Sequence, residues 1–399
     1  MKITALQTLS CDAGWRNYYF LKLSTDAGVT GWSEYDESFG SPGVGAIIEQ
    51  LAGRVVGQDF RRHERFFAEA TCLTRPSPGS VMAQAIGAIE NAMLDAKAKQ
   101  LGLPCHELLG GKVRDLIPVY WSHCPTWRIN HPKFYGPAVT DLSGVGRAGA
   151  EARERGYAAL KTNLFIHDEG DAYAWRPGFG VPFQPALNVD KKLLRNIRAH
   201  LEALREGAGP EMEILIDLNF NAKPEGLLKI LRSIADLDIF WVEIDSTSAQ
   251  ALAYVRDHSP HPIASCETLF GIRGFLPFFQ QNAVDVAIID TIWNGVWQSL
   301  KIAAVAEAYD VNVAPHNFYG DLCTMMNANF AAVVPNLRIM ETDVDRLPWE
   351  GELFTHAPEY KDGQLIVSDR PGWGTDPIEA AIHARPPKTT GGLLQYKRA

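Results

Sequence analysis

Eight short runs of branched and apolar residues, separated by helical stretches, constrain this chain more than any other feature. The runs are 117–122 (IPVYWS), 158–163 (AALKTN), 213–218 (EILIDL), 239–244 (IFWVEI), 262–267 (PIASCE), 284–290 (VDVAIID), 311–315 (VNVAP) and 337–341 (LRIME). Helical patterns fall between them at about 143–155, 189–206, 225–236, 248–258, 271–281, 296–309 and 321–333. Strands joined by helices run parallel, and eight parallel strands predict a closed barrel. With seven helices for eight strands, the last strand has no clear partner, and the chain drifts into Pro- and Gly-rich sequence. The rival is an open doubly wound sheet, but no G-x-G-x-x-G follows any strand.

The first ~110 residues read differently. NYYFLKLSTDAGVTGWSEY (17–35) predicts two strands around the turn Asp26-Ala27-Gly28. Helical patterns follow at about 43–56, 60–72 and 80–101, the last stopped by Gly102 and Pro104. A hairpin followed by helices is an α+β pattern.

In a parallel barrel every C-terminal strand end points to one face, where the loops build the active site. Those ends carry Lys161 and Asn163, then Asp217, Glu243, Glu267, Asp290, His316 and Glu341. One carboxylate at a strand end is unremarkable, because helix caps place Asp there routinely. Acidic ends on three successive strands differ, since crowded carboxylates repel unless a cation neutralises them. Three oxygen ligands with room for water and substrate suit Mg²⁺.

The segments ALKTN, LIDLN, WVEID, SCETL, VAIIDTIWNG, VAPHNF and RIMET, with the run IENAMLDAKAKQLGLPCHELLGG, resemble the mandelate racemase subgroup of the enolase superfamily. The gaps agree: 217 to 243 is 26 residues, 243 to 267 is 24 and 290 to 316 is 26. The resemblance reaches from about residue 1 to 375. It implies an α/β fold, a (β/α)₇β TIM-like barrel with an α+β capping domain formed by the N-terminal region and the C-terminal tail. The expected division is 1–112 for the capping domain, 113–345 for the barrel and 346–399 for the returning segment. By the same pattern Asp217, Glu243 and Glu267 hold one Mg²⁺ per chain, and Asp290 with His316 forms a dyad.

The family's common step removes the weakly acidic proton beside a carboxylate, with Mg²⁺ stabilising the enediolate charge. His316 is the expected base, its tautomer set by Asp290. One departure matters: the subgroup's Lys-x-Lys is Lys161-Thr162-Asn163 here, and an amide cannot abstract a proton. A base two residues after the first metal ligand is also absent, because that position is Asn219. Lys161 is expected to touch the substrate carboxylate, leaving His316 as the one firm acid/base group. Asn163, Asn219, Glu341, Arg16 and Arg176 are expected substrate contacts, with Asn294, Asn317 and Arg128 as further rim donors. The segment 164–188, with His167, Tyr173, Trp175 and Arg176, is expected to cover the substrate. Trp15 and Tyr18 lie where the capping loop closes, and Ser122, His123 and Trp127 are rim candidates after the first barrel strand. Cys266, alternating with Glu267 along a strand, should face away from the site.

These residues predict a lyase: a hydro-lyase that dehydrates a sugar acid to a 2-keto-3-deoxy acid. The alternative is a racemase, epimerase or cycloisomerase on the same scaffold. The expected partner is a small carboxylate substrate, with a homo-oligomer implied. A net charge of −9 without a charged tail argues against nucleic acid, and no apolar run is long enough for a membrane. Six scattered cysteines without a CxxC pair argue against disulfides and zinc and make the cytoplasm the default compartment.

Overall fold

The computed structural model describes residues 1–38, 41–168, 170–177 and 189–388. The eight expected barrel strands form at Leu116–Ser122, Ala159–Thr162, Glu213–Asp217, Trp241–Glu243, Ile263–Ser265, Val286–Asp290, Asn312–His316 and Met340–Asp343. They pair in parallel in chain order, and the eighth closes on the first through Met340↔Val119 to Asp343↔Ser122. The seventh and eighth are joined more loosely, by the bridge Val313↔Leu337. Helices Leu142–Glu154, Lys191–Ala208, Pro224–Ser233, Ala249–Asp257, Gly271–Gln280, Val296–Glu307 and Asp321–Val333 occupy the seven expected gaps. Side-chain caps from Asp141, Asp190 and Ser248 start three of them.

Large and small side chains interlock in the lumen. Tyr120 and Trp241 meet edge to face at 5.8 Å, among Ala159, Ala264, Ala314, Leu215, Val286, Ile288 and Ile339. These positions alternate along the strands, so the next inward position towards the C-terminal end carries the polar residue. Leu215 precedes Asp217, Trp241 precedes Glu243, Ile288 precedes Asp290, Ala314 precedes His316 and Ile339 precedes Glu341.

The fifth strand breaks the rule. It stops at Ser265, and Cys266 takes a left-handed backbone (φ 92°), so the expected strand to residue 267 is too long. Strict alternation from Ala264 would send Cys266 inward. The left-handed turn buries Cys266 in the outer core and brings Glu267 to the mouth.

The N-terminal region is a three-stranded antiparallel sheet, Ile3–Ala13, Arg16–Thr25 and Thr30–Tyr35, packed on Ser80–Leu101. Only the last two strands were expected from the hairpin signal. The C-terminal tail first adds Gln364–Ile366 antiparallel to the first barrel strand. It then returns to the N-terminal region: Trp373 N donates to Asp95, its indole donates to Trp32 O, and Lys99 pairs with Asp376. All six cysteines are unpaired. No helix of the described residues is long and apolar enough to cross a membrane.

Candidate active site

The polar strand ends converge at the C-terminal mouth of the barrel, almost entirely out of solvent. His316 Nδ1 lies 2.6 Å from Asp290 Oδ2, which also accepts the Tyr319 hydroxyl at 2.7 Å. The other oxygen, Oδ1, accepts the backbone N–H groups of Ile292 and Trp293. With its carboxylate saturated, Asp290 cannot swing away, and it holds the imidazole by Nδ1. Nε2 then faces Glu267 Oε2 at 3.6 Å and Glu341 Oε2 at 3.9 Å. Burial alone would lower the His316 pKa, but Glu267, Asp290 and Glu341 push it up to about 10.

Glu341 is itself fixed. Ser122 Oγ donates to it at 2.5 Å, Asn317 N at 2.7 Å, and Lys161 Nζ lies 3.2 Å away. Burial opposes ionisation there, yet the Lys161 and His316 charges hold this carboxyl well below the usual range. Lys161 is 3% exposed and also sits 3.0 Å from Glu243 Oε2. Desolvation is outweighed by those two carboxylates, so its ammonium is held charged.

The three expected metal ligands share this cavity. Burial first, then Glu243, pushes Asp217 up to about 6, while Lys161 and the Asn219 N–H pull it back. Glu267 is raised well above the ordinary range by burial and Asp245. As they stand, no three His, Cys, Asp or Glu side chains among the described residues are arranged to hold a metal ion. Neighbouring donors take several of the oxygens: Asn219 donates twice to Asp217, Asn163 donates to it at 3.3 Å, and Lys161 holds Glu243. Glu243 Oε1 and both Asp245 carboxylate oxygens are nevertheless buried without a hydrogen-bond partner. Buried oxygen acceptors without donors, within a cluster whose carboxyls mutually raise one another, fit a hard divalent cation. Asp245 was missed from sequence because it lies past the strand end, two residues beyond Glu243.

Several other expected site residues are held by neighbouring groups. Asn163 and Asn219 are turned onto Asp217, and Asn163 also accepts from Thr126. Asn294 is corrected from rim donor to loop brace: its amide joins Gly271 N, Leu269 O and Asp290 O. Asn317 is likewise committed, to Thr324 Oγ1 and Glu341 O. Arg128 is internal, bridging Asp345 and Glu151.

Arg16 is buried at the junction of the two regions, donating to Phe318 O and pairing with Asp343 at 3.5 Å. His167 is corrected from cover to brace, because its ring contacts His200 at 3.0 Å. The described part of 164–188 is a small hairpin, Phe165–Asp168 with Asp171–Ala174, in which Tyr173 is exposed. Residues 169 and 178–188 of that segment lie outside the described residues. Arg176 lies near His131, whose pKa is lowered to about 4 by burial and by the Arg176 and Arg16 charges. The His131 ring stacks on Trp15 at 4.8 Å, and Trp15 packs on Trp127 at 4.9 Å, so the capping hairpin covers this side of the mouth.

Comparison with known proteins agrees with the fold. Residues 145–381 match the family described as enolase C-terminal domain-like. Residues 5–110 match the N-terminal domain of mandelate racemase / muconate lactonizing enzyme. A D-galactonate dehydratase family member of Streptomyces bingchenggensis (strain BCW-1) is 28% identical, covering 96% of this chain and 93% of its own. The D-xylonate dehydratase of Haloferax volcanii is 26% identical over 95% of this chain and 88% of its own. A crystal structure from Burkholderia xenovorans strain LB400 is 74% identical with a TM-score of 0.97, covering 99% of this chain and 98% of its own. That protein carries the provisional name L-alanine-DL-glutamate epimerase and is bound to magnesium and fumarate.

Proposed function

Because this chain belongs to the mandelate racemase subgroup of the enolase superfamily, we propose that it dehydrates a sugar acid through abstraction of the proton α to the carboxylate. The observation that carries the reading is the His316–Asp290 pair, with Nδ1 tied down and Nε2 presented to a buried ring of carboxylates. Asp217, Glu243 and Glu267 would hold Mg²⁺, with Asp245 beside them. Bound there, the ion supplies a Lewis acid that stabilises negative charge developing on the substrate carboxylate.

The chain's own residues do the rest. Lys161 offers a fixed positive charge towards the same carboxylate. Neutralising Glu267 at the cation site would remove the largest influence that keeps His316 protonated, so that His316 can take the α-proton on Nε2; Asp290 then stabilises the imidazolium while Tyr319 holds Asp290 in place. Asn163 leaves no lysine base at its position, which favours elimination over racemisation. The β-hydroxyl departs as water, and the enol left behind tautomerises to a 2-keto-3-deoxy acid. The names of the galactonate and xylonate enzymes support a polyhydroxylated acid. The name of the 74% identical Burkholderia protein favours a second reading, epimerisation of an α-carbon.

Incubation with Mg²⁺ and D-galactonate, D-xylonate or D-gluconate in D₂O separates the two. Dehydration gives a 2-keto-3-deoxy product, detected as its semicarbazone, whereas epimerisation gives a stereoisomer with deuterium at the α-carbon and no keto acid. Faster turnover of mandelate or of L-alanyl-glutamate than of any sugar acid would overturn the dehydratase reading.

A further inference from the structure

The mouth of the barrel holds a second imidazole arranged like the first. His123 follows the first barrel strand with a left-handed backbone (φ 55°), an uncommon conformation for so bulky a residue. Its Nδ1 lies 3.0 Å from Asp343 Oδ1 and 2.9 Å from Ser122 Oγ. Both neighbours act as acceptors towards it. The Ser122 hydroxyl proton is given to Glu341, and Asp343 already accepts the Trp127 indole N–H at 3.0 Å and faces Arg16. Nδ1 must therefore keep its proton in neutral and charged His123 alike, which makes Nε2 the nitrogen that gains and gives up the second proton. No hydrogen bond to Nε2 is made by any described residue.

The ring is braced rather than loose. It stacks on Trp127 at 4.1 Å and packs on Phe318 at 6.1 Å. Phe318 also packs against His316, at 5.0 Å between centroids, so both imidazoles border the same phenyl ring. Ser122 and Glu341 connect the two groups through one hydrogen bond, since Glu341 also faces His316 Nε2.

From this juxtaposition we infer that His123, held by Asp343, is a second acid/base residue that protonates the departing β-hydroxyl while His316 removes the α-proton. The inference rests on the α-proton chemistry proposed above. The step balances: the C–H pair forms the Cα=Cβ bond as the Cβ–O bond breaks. The α-proton goes to His316 Nε2, and His123, entering the step as the imidazolium with its Nδ1–H kept on Asp343, gives its Nε2–H to the hydroxyl, which leaves as water. Tautomerisation of the enol then moves its hydroxyl proton to Cβ, and both imidazoles return to their starting states by exchange with solvent. Asp343 acts as a positioning residue, keeping Nε2 as the working nitrogen.

Two measurements test this. The first needs no substrate: ¹⁵N NMR of histidine-labelled protein should report His123 as the Nδ1–H tautomer, with Asp343→Asn changing the tautomer balance. An Nε2–H tautomer in the unaltered protein would overturn the assignment. The second follows α-¹H exchange in D₂O and keto-acid formation together, with Mg²⁺ and whichever of D-galactonate, D-xylonate and D-gluconate the protein dehydrates. His123→Asn should lower keto-acid formation about 10²–10⁴-fold while α-proton exchange stays within about threefold. Asp343→Asn should give a smaller loss with an altered pH profile of elimination, not of exchange. If His123→Asn leaves both rates unchanged, or lowers both equally, His123 is not the leaving-group acid. His316→Asn is the control: exchange that survives in it overturns the proposed function itself and not the role of His123.

Discussion

Glu90 sits on the long helix Ser80–Leu101, fully buried beneath the turn that follows Asp290. Its Oε1 accepts from Gln298 at 2.7 Å, whereas Oε2 is buried without a partner against Gly295, where no Cβ would fit. Burial, opposed only partly by Gln298 and Lys301, pushes its pKa from the ordinary 4.5 up to about 8. Between those values the folded chain keeps a proton that the unfolded chain has released. Stability therefore falls as pH rises through that interval, and the loss is complete above pH 8. At about 1.4 kcal/mol per pH unit, the span amounts to a destabilisation on the order of 5 kcal/mol.

Glu90→Gln removes the ionisation and keeps the acceptor for Gln298. Its new buried amide N–H costs about 1 kcal/mol at any pH. Urea unfolding should find the variant within about 1 kcal/mol of the unaltered protein at pH 5. At pH 9 it should be more stable, by on the order of 4 kcal/mol. A gap that is the same at both pH values would refute the reasoning.

Asp217→Asn, Glu243→Gln and Glu267→Gln should each weaken Mg²⁺ binding in calorimetry and abolish turnover while the circular dichroism spectrum is kept. Because burial raises Asp217 and Glu267, Mg²⁺ should displace protons and bind more tightly as pH rises, and a pH-independent affinity would contradict this. His316→Asn should eliminate both α-proton exchange and product, and Asp290→Asn should lower both by about 10²–10⁴-fold through a disordered imidazole, measured in D₂O by NMR. Tyr319→Phe, which removes one donor from Asp290, should cost roughly 1 kcal/mol of barrier, about fivefold in kcat, with KM little changed.

The barrel was legible because strand and helix periods differ and alternate eight times, and because inward positions lead to polar ends at fixed spacing. Glu267 was legible as the acidic end of a strand read to residue 267, but that strand stops at Ser265, and the left-handed backbone at Cys266, not alternation, turns Cys266 away from the site. The loop residues were harder. Asn294 and Arg128 have the same donor chemistry as substrate contacts, and only three-dimensional packing shows that backbone carbonyls and Asp345 or Glu151 consume it. Asp343 and His123 lie more than two hundred positions apart, so their pairing follows from closure of the eighth strand on the first and from no local pattern. Asp245 and Tyr319 lie just beyond the strand ends, where period-two reasoning no longer specifies direction.

Glu34 belongs to the N-terminal sheet, yet its carboxylate accepts the backbone N–H groups of Gly320 and Cys323, at the start of the helix that follows His316. A Cβ at residue 320 would come within 2.8 Å of it, so the contact requires glycine there. Asn91, from the same region, grips the chain after Asp290 through Thr291 O and Val296 N. The loops that follow His316 and Asp290 are thus both anchored outside the barrel. Chimeras that exchange N-terminal regions between relatives to alter substrate range would also exchange these anchors. Such grafts need Glu34 and Asn91 matched to Gly320 and to the 291–296 turn, or the recipient barrel will hold its histidine out of line whatever substrate the new cover admits.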